Sequence, residues 1–241
     1  MLPFFRNACA QRPRGFTLVE ISIVLVVVGL ILGGVMVGQS MIRSSQVGKL
    51  NAEVEAYRAA VASFQDKYAT LPGDLTNASR YWTGASSGDG DGRLDNFAEN
   101  FNFWRHLALS GQIKGSFTGV TGPGSAYDAV IHANVPESAL GDAGYMPLNS
   151  YNTGVNYFYA DGDIGLLLGR DVGGSYTFAP ALTVGEAYAM DQKFDDGLAV
   201  SGIIKAANQA FAPNCTTTNL PATAVYSTAY TDIACTLFFL L

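Results

Sequence analysis

The segment Phe16–Gly38, FTLVEISIVLVVVGLILGGVMVG, constrains this chain more than any other, because Glu20 is its one charged residue. As a helix rising 1.5 Å per residue it is roughly 35 Å long, enough to cross the hydrocarbon core of a bilayer. A carboxylate left unpaired inside such a helix costs roughly 2.5–3.5 kcal/mol, so Glu20 requires an explanation. So does the place where the chain changes character. A secretory signal peptide is cut after its apolar run, beside small residues. Here the sharp boundary, RPRG followed by FTLVE, precedes the run. Cutting after Gly15 removes the basic leader, keeps the whole apolar helix, and creates a new α-amino group at Phe16 that can partner Glu20.

Gly15, Phe16, Thr17, Leu18, Val19 and Glu20, with the apolar helix that follows, resemble the prepilin leader of type IV pilins and type II secretion pseudopilins. The resemblance implies that a prepilin peptidase of the inner membrane cuts the Gly15–Phe16 bond and methylates Phe16. It also implies that Glu20 pairs with the amino terminus of a neighbouring subunit during filament assembly. An ordinary signal anchor with a stray glutamate is the plainer alternative, and it leaves the positions of Gly15 and Phe16 unexplained. Arg6, Arg12 and Arg14 precede the run without any acid, which places the amino end in the cytoplasm by the positive-inside rule. The expected location is therefore the bacterial inner membrane, single-pass, with a periplasmic head that becomes extracellular if assembled into a pilus.

Loss of those three arginines takes the formal charge from −6 to −9. An acidic head without a basic stripe argues against nucleic acid as a partner. Of the three cysteines, Cys9 leaves with the leader. Cys215 and Cys235 remain in a domain facing an oxidising compartment, and we read them as a disulfide. Closing that loop contributes about 3 kcal/mol in the chain-entropy model. A metal pair or two free thiols are the alternatives, but no histidine lies nearby to complete a zinc site.

The helix does not stop at the membrane. Val47, Leu50, Val54, Tyr57, Val61, Phe64 and Tyr68 recur at alternating steps of three and four, a single stripe along a helix. Lys49, Glu53, Glu55, Arg58, Asp66 and Lys67 lie off it, and Leu71-Pro72-Gly73 ends it. The domain reading is a cleaved leader over 1–15, a spine helix over 16–70 with its membrane half at 16–38, and a globular head over 71–241. The spine is on the order of 80 Å long. In the head, Asp74 is placed to cap a short helix toward Trp82, Phe97–Ala108 reads as a helix ending at Gly111, and Thr183 with Glu186 reads as a capping box for a helix to about Phe194. Strands are expected over 128–133, 155–160, 164–168, 175–179, 200–205 and 233–240. The fold class is α+β, a long helical spine packed on a head with an antiparallel sheet, as in the pilin fold. KYATLPGDLTNA, GDGDGRLDNFAE, WRHLALSGQIKG and KFDDGLAVSG are similar to segments of a subgroup of pilin-like proteins with a prepilin-type cleavage and methylation domain.

The candidate metal site is the loop from Asp89. Aspartates alternating around glycine can wrap a hard cation, as in an EF-hand loop. Aligning Gly92 with the EF-hand glycine puts Asp89, Asp91, the Arg93 carbonyl and Asp95 at ligand positions, with Glu99 one residue beyond the usual twelfth. Calcium is the expected ion. A glycine-rich turn with an aspartate cap is the alternative, and turn chemistry is the reading for Asp161-Gly162-Asp163 and Asp195-Asp196-Gly197. His106 reads as a structural histidine and His132 as a strand residue. With two histidines and no G-x-S-x-G, the chain is not read as an enzyme. The functional expectation is a structural subunit of a type IV pilin-like filament, a type II secretion pseudopilin or minor pilin. Its partners would be other such subunits, prepilin peptidase and the inner-membrane assembly platform. The rival is a membrane-anchored, calcium-dependent module binding a substrate or surface.

Overall fold

A computed structural model describes residues 15–149, 163–207, 212–220 and 222–241. Arg6, Cys9, Arg12 and Arg14, the expected strand at 155–160, and Asp161-Gly162 lie outside the described residues. The chain divides into two compact units, Met1–Ser44 and Ser45–Leu241.

Helix α1, Leu18–Tyr68, begins in the first unit and ends in the second. In the first unit its apolar side chains, from Leu18 through Ile42, are exposed. In the second the stripe does what its spacing requires. Leu50, Val54, Val61 and Phe64 are buried, and Val47, Tyr57 and Tyr68 pack against the same core. Burying a side chain such as Phe64 contributes about 2–3 kcal/mol. Tyr57 sets its ring edge-on to Trp104 at 4.8 Å and to Tyr145 at 5.3 Å. The flanking polar residues add directed bonds. Glu53 Oε2 accepts from the Tyr145 hydroxyl at 2.7 Å and the Ala139 N–H at 3.1 Å, and Arg58 Nε donates to the Leu240 carbonyl at 2.8 Å. The helix stops at Tyr68, and Ala69 turns to a positive φ of 56° ahead of Pro72.

The main sheet is antiparallel throughout, in the order β1 (Ala143–Asn149), β2 (Ile164–Arg170), β6 (Leu237–Leu240), β4 (Ile204–Ala206). A second, two-stranded sheet pairs β3 (Leu182–Thr183) with β5 (Ile233–Cys235). Helix α2, Phe97–Leu109, packs on β1, and Trp104 Nε1 donates to the Tyr145 carbonyl at 2.9 Å. Helix α3, Val184–Phe194, starts from the expected capping box of Thr183 and Glu186.

Several strands differ from expectation. Residues 128–133 form only one isolated bridge, Ile131 to Val135. Polar side chains take over the backbone partners there. Asn134 Oδ1 accepts the Val130 N–H at 2.7 Å, its amide donates to Asp128 and Val120 carbonyls, and His132 sits in a turn at φ 70°. His132 is thus a turn residue, 3.4 Å from Glu137. Over 175–179 only Ala179 pairs, with Arg170. Residues 233–240 divide at buried Thr236 into β5 and β6, which join different sheets. Strand β1 was hidden by Pro147, which an edge strand tolerates because the missing N–H faces no partner.

Candidate functional sites at the amino end and in an acidic loop

Gly15, Phe16 and Thr17 precede α1 in non-helical backbone, and Phe16 is 82% exposed. Thr17 fixes where the helix starts. Its Oγ1 accepts the Glu20 N–H at 3.2 Å, while Glu20 Oε2 accepts the Thr17 N–H and the Thr17 hydroxyl, each at 2.8 Å. This reciprocal pair is a capping box, with a carboxylate at the positive end of the helix dipole. Two consequences follow. The Gly15–Phe16 bond stays outside the helix, and Glu20 has a partner within its own chain before any neighbour is present.

The acidic loop is organised by a residue to which the sequence assigned another task. Asp74 does not cap the following turn. That turn is a 3-10 helix, Ala78–Arg80, whose cap residue Asn77 makes no side-chain capping bond. Asp74 instead reaches across to the glycine-rich loop, with Oδ1 accepting the Gly90 N–H at 2.6 Å and Oδ2 the Gly92 N–H at 2.9 Å. Gly90 and Gly92, at φ 80° and 81°, take the left-handed backbone that glycine adopts without strain. Asp89 Oδ1 accepts the Asp91 N–H at 3.2 Å and Asp91 Oδ1 the Arg93 N–H at 2.9 Å, two Asx turns in succession. One carboxylate oxygen from each of Asp74, Asp89 and Asp91 lies within 4.8 Å of the others.

Glu99 stands in the first turn of α2, where Asn96 Oδ1 caps its N–H at 3.0 Å. It is 1% exposed. Its Oε1 accepts the Asp89 N–H at 3.0 Å, and its buried Oε2 has no hydrogen-bond partner among the described residues. Burial raises the carboxyls of Asp74 and Glu99 above the usual range. The Asp91 charge adds to this at Asp74, and those of Asp89 and Asp74 add to it at Glu99. Of the expected ligands, then, the structure gathers Asp89 and Asp91. Glu99 meets Asp89 through its amide, Arg93 offers its N–H to Asp91, and Asp95 is outside the carboxylate group. Asp74 was missed because it lies a turn and a 3-10 helix upstream. The available signal was the glycine pair, whose N–H groups need an acceptor their own residues cannot supply.

Residues 11–36 match the family model described as the prokaryotic N-terminal methylation motif. With the long apolar helix that follows, this motif fits a type IV pilin-like protein. Its motif runs from the leader into the exposed apolar half of α1, which among the described residues is the one helix long and apolar enough to cross a membrane. No curated protein and no solved structure matches the chain. The motif implies processing by prepilin peptidase, assembly with other pilin subunits and a single-pass membrane anchor.

Elsewhere in the head, several polar groups serve structure. Cys215 and Cys235 form the expected disulfide, with Cα atoms 4.8 Å apart. His106 is fully buried, accepts the Gly73 N–H at Nδ1 (2.9 Å) and meets the Ser86 carbonyl at Nε2 (2.9 Å), which fixes the tautomer protonated at Nε2. Burial holds its pKa below the usual value. A second acidic group brings Asp191, within α3, together with Asp195 and Asp196 of the expected turn. Asp195 Oδ2 accepts the N–H groups of Ile203 and Ile204, and Asp196 accepts Leu198 N–H and the Ser201 hydroxyl.

Proposed function

We propose that this chain is a structural subunit of a type IV pilin-like filament, specifically a type II secretion pseudopilin or a minor pilin. It would reside in the bacterial inner membrane with its amino end cytoplasmic and its head periplasmic. The observation that carries this reading is the methylation motif at residues 11–36 on a helix whose apolar half is exposed among the described residues. An exposed apolar helix face is stable only in lipid or against other apolar helices, and a filament supplies the second once the subunit leaves the first. Glu20 supports the same reading. Its Thr17 capping box satisfies it while the subunit is alone, and cleavage after Gly15 would give neighbouring subunits a cationic α-amine with which that carboxylate can pair instead.

The test has two parts. Mass spectrometry of the protein from peptidase-competent cells should find N-methylated Phe16 at the amino terminus. Recovery of an intact leader, or of a cut beyond residue 38, sinks the assignment. Glu20→Ala should leave a processed, membrane-inserted monomer that enters filaments poorly, and normal incorporation would make Glu20 dispensable. The rival reading, a membrane-anchored calcium-dependent binding module, draws on the Asp74–Asp89–Asp91 group. It predicts full function from a head fused to an unrelated anchor, which a filament subunit cannot match.

A further inference from the structure

Asn102, on α2, is 0% exposed, and neither its amide nitrogen nor its amide oxygen has a hydrogen-bond partner among the described residues. No other side chain buried to this degree there leaves both a donor and an acceptor over. Asn100 leaves only Oδ1, since its nitrogen donates to the Tyr176 hydroxyl at 3.1 Å, and Glu99 leaves only Oε2. A buried amide without partners costs stability, and a leucine of similar shape would not carry that cost.

The amide belongs to the wall of a pocket of about 460 Å³, a volume typical of ligand sites. Phe97, Ala98 and Phe101 of α2 form one side, and Val120, Thr121 and Ala126 the other. No charged residue lines it. The two sides are anchored independently of any ligand. Arg105 of α2 donates to the Thr118 carbonyl at 3.0 Å and the Gly84 carbonyl at 2.8 Å, and Asp128 accepts the Gly122 N–H at its carbonyl and the Gly124 N–H at Oδ2, each at 2.8 Å. Gly119 lies between these anchors and against the amide, where a Cβ would stand 2.7 Å from Asn102 Oδ1. Its own N–H and carbonyl make no hydrogen bond among the described residues, so this one link can give way as a ligand seats.

The lining selects the occupant. Apolar walls without a charge favour a neutral, apolar group and penalise a carboxylate, a phosphate or an ammonium. Asn102 offers a donor and an acceptor side by side. A residue in an extended chain presents its own N–H and C=O side by side on one edge, as it does toward a neighbouring strand. We infer that this pocket binds an internal apolar residue of an extended peptide segment, its side chain between Phe97, Phe101 and Val120 and its main-chain N–H and C=O paired with Oδ1 and Nδ2 of Asn102. A chain terminus is excluded by its charge. Main-chain pairing supplies the affinity and the pocket the selection.

The experiment uses the purified full chain in lipid nanodiscs, with empty nanodiscs as the blank, and follows each probe by ligand-observed NMR titration. The parent probe is N-acetyl-L-phenylalanine N-methylamide. Its comparators are the same compound methylated on the phenylalanine nitrogen, which loses the donor, and toluene, which keeps only the side chain. The parent should bind saturably and about tenfold or more tightly than either comparator. Asn102→Leu should remove that preference and leave the melting temperature unchanged or higher. Ala98→Phe, at an exposed position on the pocket wall, should abolish binding of all three. Should Asn102→Leu fail to fold, the comparators on wild type still decide. No saturable binding, or toluene binding as tightly as the parent, overturns the proposal. So does an Asn102→Leu chain that melts lower and keeps the preference, because Asn102 is then structural only. Self-association that Ala98→Phe abolishes, without binding of the probe, assigns the pocket to a second copy and overturns it as well. None of these readouts depends on processing at Phe16 or on incorporation into a filament.

Discussion

Asp191 is fully buried at the end of α3, where Oδ2 accepts the Tyr226 hydroxyl at 2.7 Å and Oδ1 the Gly197 N–H at 2.9 Å. Burial is the main reason its pKa rises from 3.8 to about 6, and the charges of Asp196 and Asp195 push the same way against the two hydrogen bonds. A folded pKa above the unfolded one means that the fold favours the protonated acid. The contribution is fully present below about pH 4 and is lost as pH rises through about 6, a change of at most about 3 kcal/mol. His106 works in the opposite sense, because a depressed histidine pKa costs stability as pH falls below about 6.5. The two effects separate by variant. Chemical denaturation from pH 4 to 7 should show wild type losing stability relative to Asp191→Asn as pH rises, and parallel curves would place the titration elsewhere. At this scale the amino-terminal motif was legible in the sequence because Gly15, Phe16 and Glu20 fall within one six-residue stretch. Asp74 and Asp191 were not, because each takes its meaning from partners that only folding brings near.

Elements divide along the same line. Helices α1, α2 and α3 were readable because a helix carries its own period and its own caps, as the Val47–Tyr68 stripe and the Thr183–Glu186 box do. Strands have no local partner. β1 passed unnoticed because Pro147 interrupts it, and 128–133 reads as a strand until the Asn134 side chain takes up the Val130 N–H and the Asp128 carbonyl. The two halves of α1 should therefore respond differently to the same kind of substitution. Phe64→Ala, in the core, should cost about 3–5 kcal/mol. Leu30→Ala, on the exposed apolar half, should leave the thermal melt of the head unchanged while weakening membrane retention or assembly. Equal destabilisation by both would mean that the apolar half is covered by the chain itself.

Over the whole molecule, the disulfide and the sheet converge on the same residues. Cys235 ends β5, and β6 begins two residues later. Reduction should lower stability by about 3 kcal/mol through the freed loop, seen as a lower melting temperature in reductant and unchanged melting of a Cys215→Ala/Cys235→Ala variant between the two conditions. A variant that still responds to reductant would separate the effect from the bridge. β6 also lies between β2 and β4 in the main sheet, although it comes last of those strands along the chain. During synthesis, the space between β2 and β4 therefore waits for residues 237–240 to arrive. The pairing that closes the head is long-range and slow to form. Until then its neighbours expose unpaired edges, a state that draws chaperones and proteases. Removal of residues 237–240 would thus be felt first as a shortage of protein.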